Sequence, residues 1–542
     1  MNRLQDRLDT AFASPWLLAA IVAFAFFWQL GSLPLLDLDE GAFTEATREM
    51  VASGNYITPH RDGEPRYDKP VLTYWAQAAS TQVLGFNEFA LRLPSALAAS
   101  LWVLALWLFV RERLDARTAN VAGMVMALSL QVSLIAKAAV ADSLLNLFIA
   151  LAFFEIYRFY VQPQATGRAA PVLRAYLWMA LGFLTKGPVA VFFPLVVSLL
   201  FFWSEGALRH WLRAALAPLG WLIFLLVAGP WYLAVYLDDG PGFFTSFFLK
   251  HNAGRFGGAL HGHGGFFGYY FVMLPLILLP FTGWFLRLLP NWRQAWADPF
   301  DRFLWLWFAV VFIFFSFSGT KLPHYLLYGC TPLFILMARH RDLLTGRWLA
   351  FVPPLLLVGL LLPMIRALET ARDLTGKAHE TAIYTEALAL LDPSYFYATW
   401  AAGAALIALF LWSRPPLWQR LILAGVVQGL LVFGVVAPRA LEVLQAPVKE
   451  AALLARQLDL PTVVFNTSMP SFSVYRGAIT PNRPPRPGEL AFLRVDKLDQ
   501  LARAVPDLKL ELVYRRGPVA LVRVREQVRP TGGNAPGGRP GG

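Results

Sequence analysis

The feature that most constrains this chain is a series of apolar runs, each long enough to cross a lipid bilayer. A spanning helix takes about 20 such residues, within a range of about 17–25. The chain is 57% hydrophobic and 15% charged, whereas soluble domains carry about 25% charged residues. We therefore predict a polytopic α-helical membrane protein of about 13 spans, near 14–31, 94–110, 119–135, 143–161, 172–185, 187–203, 214–236, 268–288, 303–318, 323–338, 348–365, 396–413 and 418–437.

The longest apolar run, 172–203, is interrupted by the sequence LTKGPVA. Lys186, Gly187 and Pro188 predict a tight turn between two short helices, because glycine and proline both break helical structure. The first apolar run has no small-residue cleavage site, so we interpret it as a retained helix and not as a signal peptide.

The net charge of +12 is spread over short basic connections between the apolar runs. This placement favours membrane topology over nucleic-acid binding, because cytoplasmic loops carry an excess of Lys and Arg. Seven basic connections alternate with less basic ones, which predicts a cytoplasmic N-terminus and an outward C-terminus. A single cysteine, Cys330, excludes an intramolecular disulfide and a Cys-rich metal site.

The chain changes character after about residue 438. Segments such as LPTVVFNTSMPSFSVYRG alternate like strands, and VKEAALLARQL has helical spacing. We predict a transmembrane domain over 1–438, a small outward α/β domain over 439–528 and a disordered Gly/Pro-rich tail over 529–542.

The first outward loop, 32–93, is rich in acids. The segment DEGAFTEATREMVAS predicts an amphipathic helix at the membrane interface that ends at Gly54. Asp39 and Lys69 are the candidate functional groups, although a solvated loop would also carry them. Asp37 and Glu40 are expected to support Asp39, whereas Glu45 and Glu49 are expected on the water-facing side of the helix, and Glu64 in the solvated loop.

Three further outward connections, the second of which spans 237–267, carry polar residues. Asp142 begins a helix, where both an N-cap role and a functional role are compatible with its position, and Lys137 before it fits a snorkelling side chain. Lys250, His251 and Arg255 suit an anionic group, while His261 and His263 lack the further ligands typical of a metal site. In the last connection Lys321 fits either a phosphate-binding or an interface lysine, with His324 and Tyr325 beside it.

Several motifs together are similar to those of a known family. They are DEGAFTEATREMVASGNYITPHRDGEPRYDKPVLTYW, then ADS at 141–143, LTKGP at 184–188, HNAGRF at 251–256 and KLPHYLLYGCTP at 321–332. The chain resembles bacterial type C (GT-C) glycosyltransferases of the protein O-mannosyltransferase superfamily, most of all the lipid A 4-amino-4-deoxy-L-arabinose transferase family. The likeness runs over nearly the whole chain and is strongest at 37–75.

The resemblance implies a GT-C fold in a bacterial inner membrane, with the active site and the C-terminal domain in the periplasm. It implies a polyprenyl-phosphate sugar donor and a lipid A, glycan or protein acceptor. Asp39, Lys69 and Asp142 match the catalytic positions, and Asp68 stands where the family more often has glutamate. Looser matches place His251 and Tyr325 where the family has cavity-lining polar residues. The supporting or donor phosphate-binding candidates are Glu40, Asp68, His251, Arg255, Lys321 and Tyr325.

The residues also suit such chemistry directly. Lys69, with Arg255 or Lys321, would stabilise the departing phosphate charge, and Asp39 would act as base toward a hydroxyl acceptor. No nucleotide-binding fingerprint occurs, which fits a lipid-linked donor; no cofactor is expected, and a divalent metal remains open. Two alternatives are a lipid-linked sugar flippase, for which ionisable residues at mid-membrane are typical, and a non-catalytic envelope-assembly component.

Overall fold

The computed structural model describes residues 3–37, 39–162, 169–253 and 266–526, and over these ranges the chain is mainly helical. Most helices of the first half are apolar and are connected by short segments. They are α1 (Arg3–Ala13), α2 (Pro15–Phe27), α3 (Asp39–Ser53), α4 (Leu72–Leu84), α5 (Glu88–Arg113), α6 (Ala116–Leu128), α7 (Leu130–Ala136), α8 (Asp142–Val161), α9 (Ala169–Lys186), α10 (Val189–Ser204), α11 (Leu208–Ala215), α12 (Pro218–Asp239) and α13 (Gly242–Phe244).

A π-helix over Thr245–Ala253 precedes the second group of helices, and a 3₁₀ segment over Pro323–Gly329 interrupts it. These helices are α14 (Tyr269–Ile277), α15 (Thr282–Leu288), α16 (Trp292–Ala295), α17 (Pro299–Phe317), α18 (Thr331–Arg339), α19 (Arg347–Leu361), α20 (Met364–Leu374), α21 (Ala378–Leu390), α22 (Pro393–Leu411), α23 (Leu417–Leu431), α24 (Ala437–Leu444), α25 (Ala446–Leu458), α26 (Ser471–Arg476) and α27 (Leu498–Ala504).

Six helices among the described residues are long and apolar enough to cross a membrane, or up to ten spans if each sharply bent pair counts as one. The polytopic membrane fold is therefore confirmed, whereas the predicted count of 13 is not. The predicted span 323–338 is divided between the 3₁₀ segment and the nine-residue α18. Pro323 and Pro332 sit in the first turns of these two pieces, where proline is compatible with the start of a helix but not with its interior.

The predicted turn at residue 186 is present. Helix α9 ends at Lys186 and α10 begins at Val189. Gly187 between them has a φ of +84°, and a Cβ there would lie 2.4 Å from the Phe247 ring. Both the left-handed backbone and the close ring explain why this turn uses glycine.

The described end of the chain forms the predicted α/β fold around one four-stranded sheet. Its strands are Thr462–Val464, Leu490–Arg494, Leu508–Arg516 and Val519–Glu526. The first two pair in parallel, and the last strand lies antiparallel between the second and the third. Helices α25 and α26 pack on one face of the sheet and α27 on the other.

Candidate active site

Two adjacent acids at the start of α3 have opposite environments. Asp39 is exposed, whereas only 4% of Glu40 is accessible. Both carboxylate oxygens of Glu40 accept hydrogen bonds from the Arg92 guanidinium, at 2.7 and 2.9 Å. The same carboxylate accepts from the backbone N–H of Leu36 and of Ala139. Glu40 thus connects the start of α3 to α5 and to the turn that precedes Asp142.

Lys69 lies just before α4, in the segment RYDKP. Its Nζ donates to the backbone oxygen of Asp68 at 3.0 Å. The buried Arg66 brings a second cation, with its Nε 3.5 Å from Asp68 Oδ2 and its guanidinium 4.8 Å from the centre of the Phe43 ring. Sequence patterns did not single out Arg66, because a lone arginine in a polar loop is usually solvated.

Asp142 is the first residue of α8, and its side chain makes no capping hydrogen bond. Instead, Lys186 Nζ donates to its Oδ1 at 2.7 Å and Tyr328 Oη donates to the same oxygen at 3.0 Å. Lys186 Nζ also donates to Tyr328 Oη at 2.8 Å. Asp142 therefore does not act as an N-cap. Its buried carboxylate is paired with Lys186 at a helix N-terminus, which favours negative charge.

The half-buried His324 connects the two halves of the site. Its Nε2 lies 3.9 Å from Asp142 Oδ1. The charges of Asp39 and Lys69 also act on its ring, together with those of Asp142 and Lys186. Of the three candidate residues, Asp142 therefore lies next to His324, and Asp39 at the start of α3 and Lys69 before α4 act on the same ring through their charges.

The segment 321–332 supplies both structural and site residues. Tyr325 lies beside the site, with its ring centre 5.3 Å from Lys186 Nζ. Lys321, in contrast, is buried and donates to the backbone oxygens of Ser316 and Ser318, both at 2.8 Å. These carbonyls end α17, so Lys321 caps that helix. Lys321 is therefore neither the interface anchor nor the exposed phosphate ligand that the sequence suggested.

The other acids of the first loop depart from their predicted positions. Glu45 and Glu49 are not on a water-facing surface: 0% and 5% of these residues are accessible. Glu45 forms a bidentate pair with Arg48 at 2.6 and 2.8 Å, and burial raises its pKa to about 8. Glu49 accepts from the backbone N–H of Gly63 at 3.1 Å. The expectation was wrong because α26 packs onto α3, so a polar helix face is covered by protein.

Asp37 anchors that contact. The backbone N–H of Ser471 donates to its Oδ1 at 2.9 Å, and Ser471 Oγ donates to its Oδ2 at 2.5 Å. Burial raises the pKa of Asp37 to about 7, against the opposing hydrogen bonds from Ser471. Asp37 therefore holds the C-terminal α/β fold against the start of α3.

The remaining candidates are placed as follows. Glu64 is exposed, as expected. Lys137 does not snorkel; its Nζ donates to the backbone oxygen of Trp28 at the end of α2. His251, Arg255, His261 and His263 lie outside the residues whose side chains the structure describes. Over the described ranges, no group of three or more His, Cys, Asp or Glu side chains is arranged to hold a metal ion.

The helical architecture is that of a type C glycosyltransferase. Crystal structures of ArnT from Cupriavidus metallidurans, in the apo state and bound to undecaprenyl phosphate, superpose with a TM-score of 0.76 over 93% of this chain and 97% of theirs, at 20% identity. Residues 68–233 match the family described as dolichyl-phosphate-mannose-protein mannosyltransferase.

The chain is also similar in sequence to named glycosyltransferases. An undecaprenyl phosphate-alpha-4-amino-4-deoxy-L-arabinose arabinosyl transferase of Aeromonas hydrophila is 31% identical over 60% of this chain. A protein of the same description from Proteus mirabilis is 32% identical over 60%. The chain spans 59% and 58% of the lengths of these two relatives. The resemblance inferred from the motifs is confirmed.

Proposed function

We propose that this protein is a membrane glycosyltransferase that moves a sugar from a polyprenyl-phosphate donor to an acceptor at the outer face of the bacterial inner membrane. The observation that carries the proposal is the buried Asp142–Lys186 ion pair beside His324, on whose ring the charges of Asp39 and Lys69 also act. Carboxylates beside a lysine suit a reaction in which a phosphate leaves and an acceptor oxygen attacks.

The transfer breaks the bond between the sugar's anomeric carbon and the phosphate oxygen, and it forms one bond from that carbon to the acceptor oxygen. The departing prenyl phosphate gains negative charge, which the Lys69 ammonium stabilises. A hydroxyl acceptor passes its proton to the exposed Asp39 carboxylate. A phosphate acceptor is already anionic, and Asp39 then orients it without taking a proton.

The Asp142 carboxylate has a different role, because Lys186 and Tyr328 already donate hydrogen bonds to it. A buried, paired carboxylate is a poor base, since accepting a proton would break its ion pair. Asp142 instead provides a fixed negative charge beside His324. Fixed charge in a buried site stabilises developing positive charge at low reorganisation cost, and such charge develops on the sugar as its bond to phosphate breaks.

The donor and acceptor follow from the relatives. The undecaprenyl phosphate bound to the Cupriavidus protein and the arabinosyl transferase names of the sequence relatives support undecaprenyl phosphate-linked 4-amino-4-deoxy-L-arabinose as the donor. Lipid A is the acceptor that the family resemblance favours. We place the N-terminus in the cytoplasm and the α/β fold in the periplasm, in agreement with the basic connections.

The test is transfer by membranes that contain the wild type, Asp39→Asn or Lys69→Ala, supplied with a panel of polyprenyl-phosphate sugars. Mass spectrometry of lipid A, other lipids and glycoproteins detects the product. We expect a sugar adduct with the wild type and none with either variant, while both variants insert and keep their melting temperature. Glu64→Gln, an exposed acid of the same loop, serves as the control with wild-type activity.

The outcomes separate the alternatives. Movement of a labelled lipid-linked sugar across the bilayer without a covalent product would support a flippase. Near-normal transfer by both site variants would show that Asp39 and Lys69 are not catalytic residues. An Asp39→Asn strain with an intact envelope phenotype and no transfer product in the wild type would support a non-catalytic assembly role.

A further inference from the structure

A cavity with apolar and charged walls lies between the first outward loop and the C-terminal α/β fold, apart from the candidate active site. Its volume is about 590 Å³. It is lined by the second half of α3, the start of α5, and residues of α25 and α26. We call it the junction cavity. Asp39, Lys69, Asp142 and His324 are not among its lining residues.

The lining of the junction cavity carries more positive than negative charge. Arg48, Lys449 and Arg456 line it together with one carboxylate, Glu88. Lys449 Nζ donates to Glu88 Oε1 at 2.5 Å. Arg456 is exposed, so its guanidinium is accessible to a ligand that enters from solvent.

A fourth cation, which is not among the lining residues, adds to this potential. Arg476 ends α26, and burial, together with the charge of Arg48, lowers its pKa. Two guanidinium groups that repel each other are stabilised by an anion placed near both. The Glu45 carboxylate offsets part of this charge at Arg48.

One wall of the cavity is the start of a candidate membrane span. Glu88 lines the cavity and begins α5, a helix long and apolar enough to span the bilayer. Two large apolar side chains on the cavity wall, Phe86 and Leu453, are 41% and 38% exposed. Aromatic residues at the end of a spanning helix are typical of the interface between lipid and water.

We propose that the junction cavity binds the phosphate headgroup of an outer-leaflet lipid whose headgroup carries a net negative charge, such as phosphatidic acid. Arg456 contacts the phosphate, because guanidinium groups bind phosphate oxygens in bidentate geometry. Arg48, whose Nε and Nη2 are held by Glu45, adds positive charge to the cavity wall. Phe86 and Leu453 contact the adjoining apolar part of the lipid. The volume of about 590 Å³ is sufficient for a headgroup. The proposal does not depend on the transfer reaction.

The test is calorimetric titration of the full chain in phosphatidylcholine nanodiscs with dioctanoyl phosphatidic acid. The parent protein carries Lys69→Ala, so that phosphate binding at the candidate active site does not contribute. We expect saturable binding, and we expect Arg456→Glu to raise the Kd at least about tenfold, since a hydrogen bond to a charged group contributes about 1.5–3 kcal/mol.

The matched control is Arg503→Glu. Arg503 is an exposed arginine of α27 on the opposite face of the same sheet, so this variant makes the same charge change and should keep the parent Kd. Dioctanoyl phosphatidylcholine should show no saturable binding, and inorganic phosphate should bind more weakly than phosphatidic acid.

Three results would overturn the proposal. The first is an unchanged Kd in Arg456→Glu, and the second is an equal loss of affinity in Arg503→Glu, which would indicate unspecific attraction to the basic chain. The third is inorganic phosphate binding as tightly as phosphatidic acid, which would leave an anion site without a lipid component. None of these results depends on sugar transfer, so they do not bear on the proposed enzyme activity.

Discussion

At the residue scale, the site depends on charges that are compensated in pairs. Asp142 and Lys186 are both largely buried, with side-chain exposures of 6% and 10%. A buried charge is tolerated when it is paired and hydrogen-bonded. The pair therefore does more than add stability, because it fixes where the carboxylate lies relative to His324.

Removal of the Lys186 charge tests this pairing. We expect Lys186→Met to lower stability by about 3–5 kcal/mol, because it leaves an uncompensated buried carboxylate. The double variant Lys186→Met/Asp142→Asn should recover most of that loss, since neither charge then remains. A thiol-reactive dye measures the melting temperature, as Cys330 is fully buried and reacts only on unfolding.

The control for this experiment is Lys377→Met, which removes a lysine that forms a surface ion pair with Glu380. Such exposed pairs contribute little, so its melting temperature should match the wild type. A Lys186→Met protein as stable as the wild type would show that Asp142 does not rely on this counter-ion.

The sequence located some of these residues and missed others for a physical reason. Asp39, Lys69 and Asp142 stand in recognisable local motifs. Lys186 was recognised only as part of a turn, because its partners lie 44 and 142 positions away. Tyr328 and Arg66 lie inside motifs similar to those of the family, but nothing in the sequence distinguished them from their neighbours. Local spacing indicates which residues share a helix face, but contacts between distant helices depend on packing that spacing does not encode.

At the element scale, α3 shows the same limit. Its bounds at Asp39 and Ser53 agree with the predicted helix and with Gly54 as its end. The surroundings of α3 differ from the prediction, because α26 covers its polar face. The contact is close: a Cβ on Gly41 would lie 2.2 Å from Asp37 Oδ1 and 2.9 Å from Ser471 N. Periodicity predicted a polar face, but it did not indicate that a segment 434 residues away would bury it.

The contact between α3 and α26 should loosen as pH rises. Burial raises the pKa of Asp37 from 3.8 to about 7, and burial also raises the pKa of Asp62, which accepts from Ser473. The packed state thus binds more protons than the separated state. Its stabilisation by these acids is complete below about pH 4 and is lost as pH rises through about 7.

Hydrogen exchange of residues 471–476 between about pH 5 and 8, corrected for intrinsic rates, measures this effect. We expect protection to fall with rising pH in the wild type. Asp37→Asn should flatten the dependence, because the amide retains contacts to Ser471 without a titrating proton. Asp499→Asn, on the opposite face of the sheet, should behave as the wild type. If the hydrogen-exchange protection of α26 did not change with pH, the role given to Asp37 in this contact would be contradicted.

At the scale of the whole molecule, the C-terminal α/β fold packs on the helix that begins with Asp39. Tyr475 Oη accepts from the backbone N–H of Leu35 at 2.7 Å, and Lys449 pairs with Glu88 at the start of α5. The C-terminal fold must therefore lie on the same side of the membrane as the first loop. The orientation of the whole chain is then known once either the first loop or the C-terminal fold is located on one side of the membrane.

Labelling of single cysteines determines that side. Cys330 is fully buried, so the wild-type chain gives no background with a membrane-impermeant maleimide. Gln500→Cys lies on the exposed surface of α27 and Ala116→Cys on the exposed start of α6. We expect intact spheroplasts to label Gln500→Cys only, and lysed cells to label both, because the connection before α6 belongs to the basic, cytoplasmic set. Labelling of Ala116→Cys in intact spheroplasts would reverse the proposed orientation, and it would place the candidate active site in the cytoplasm.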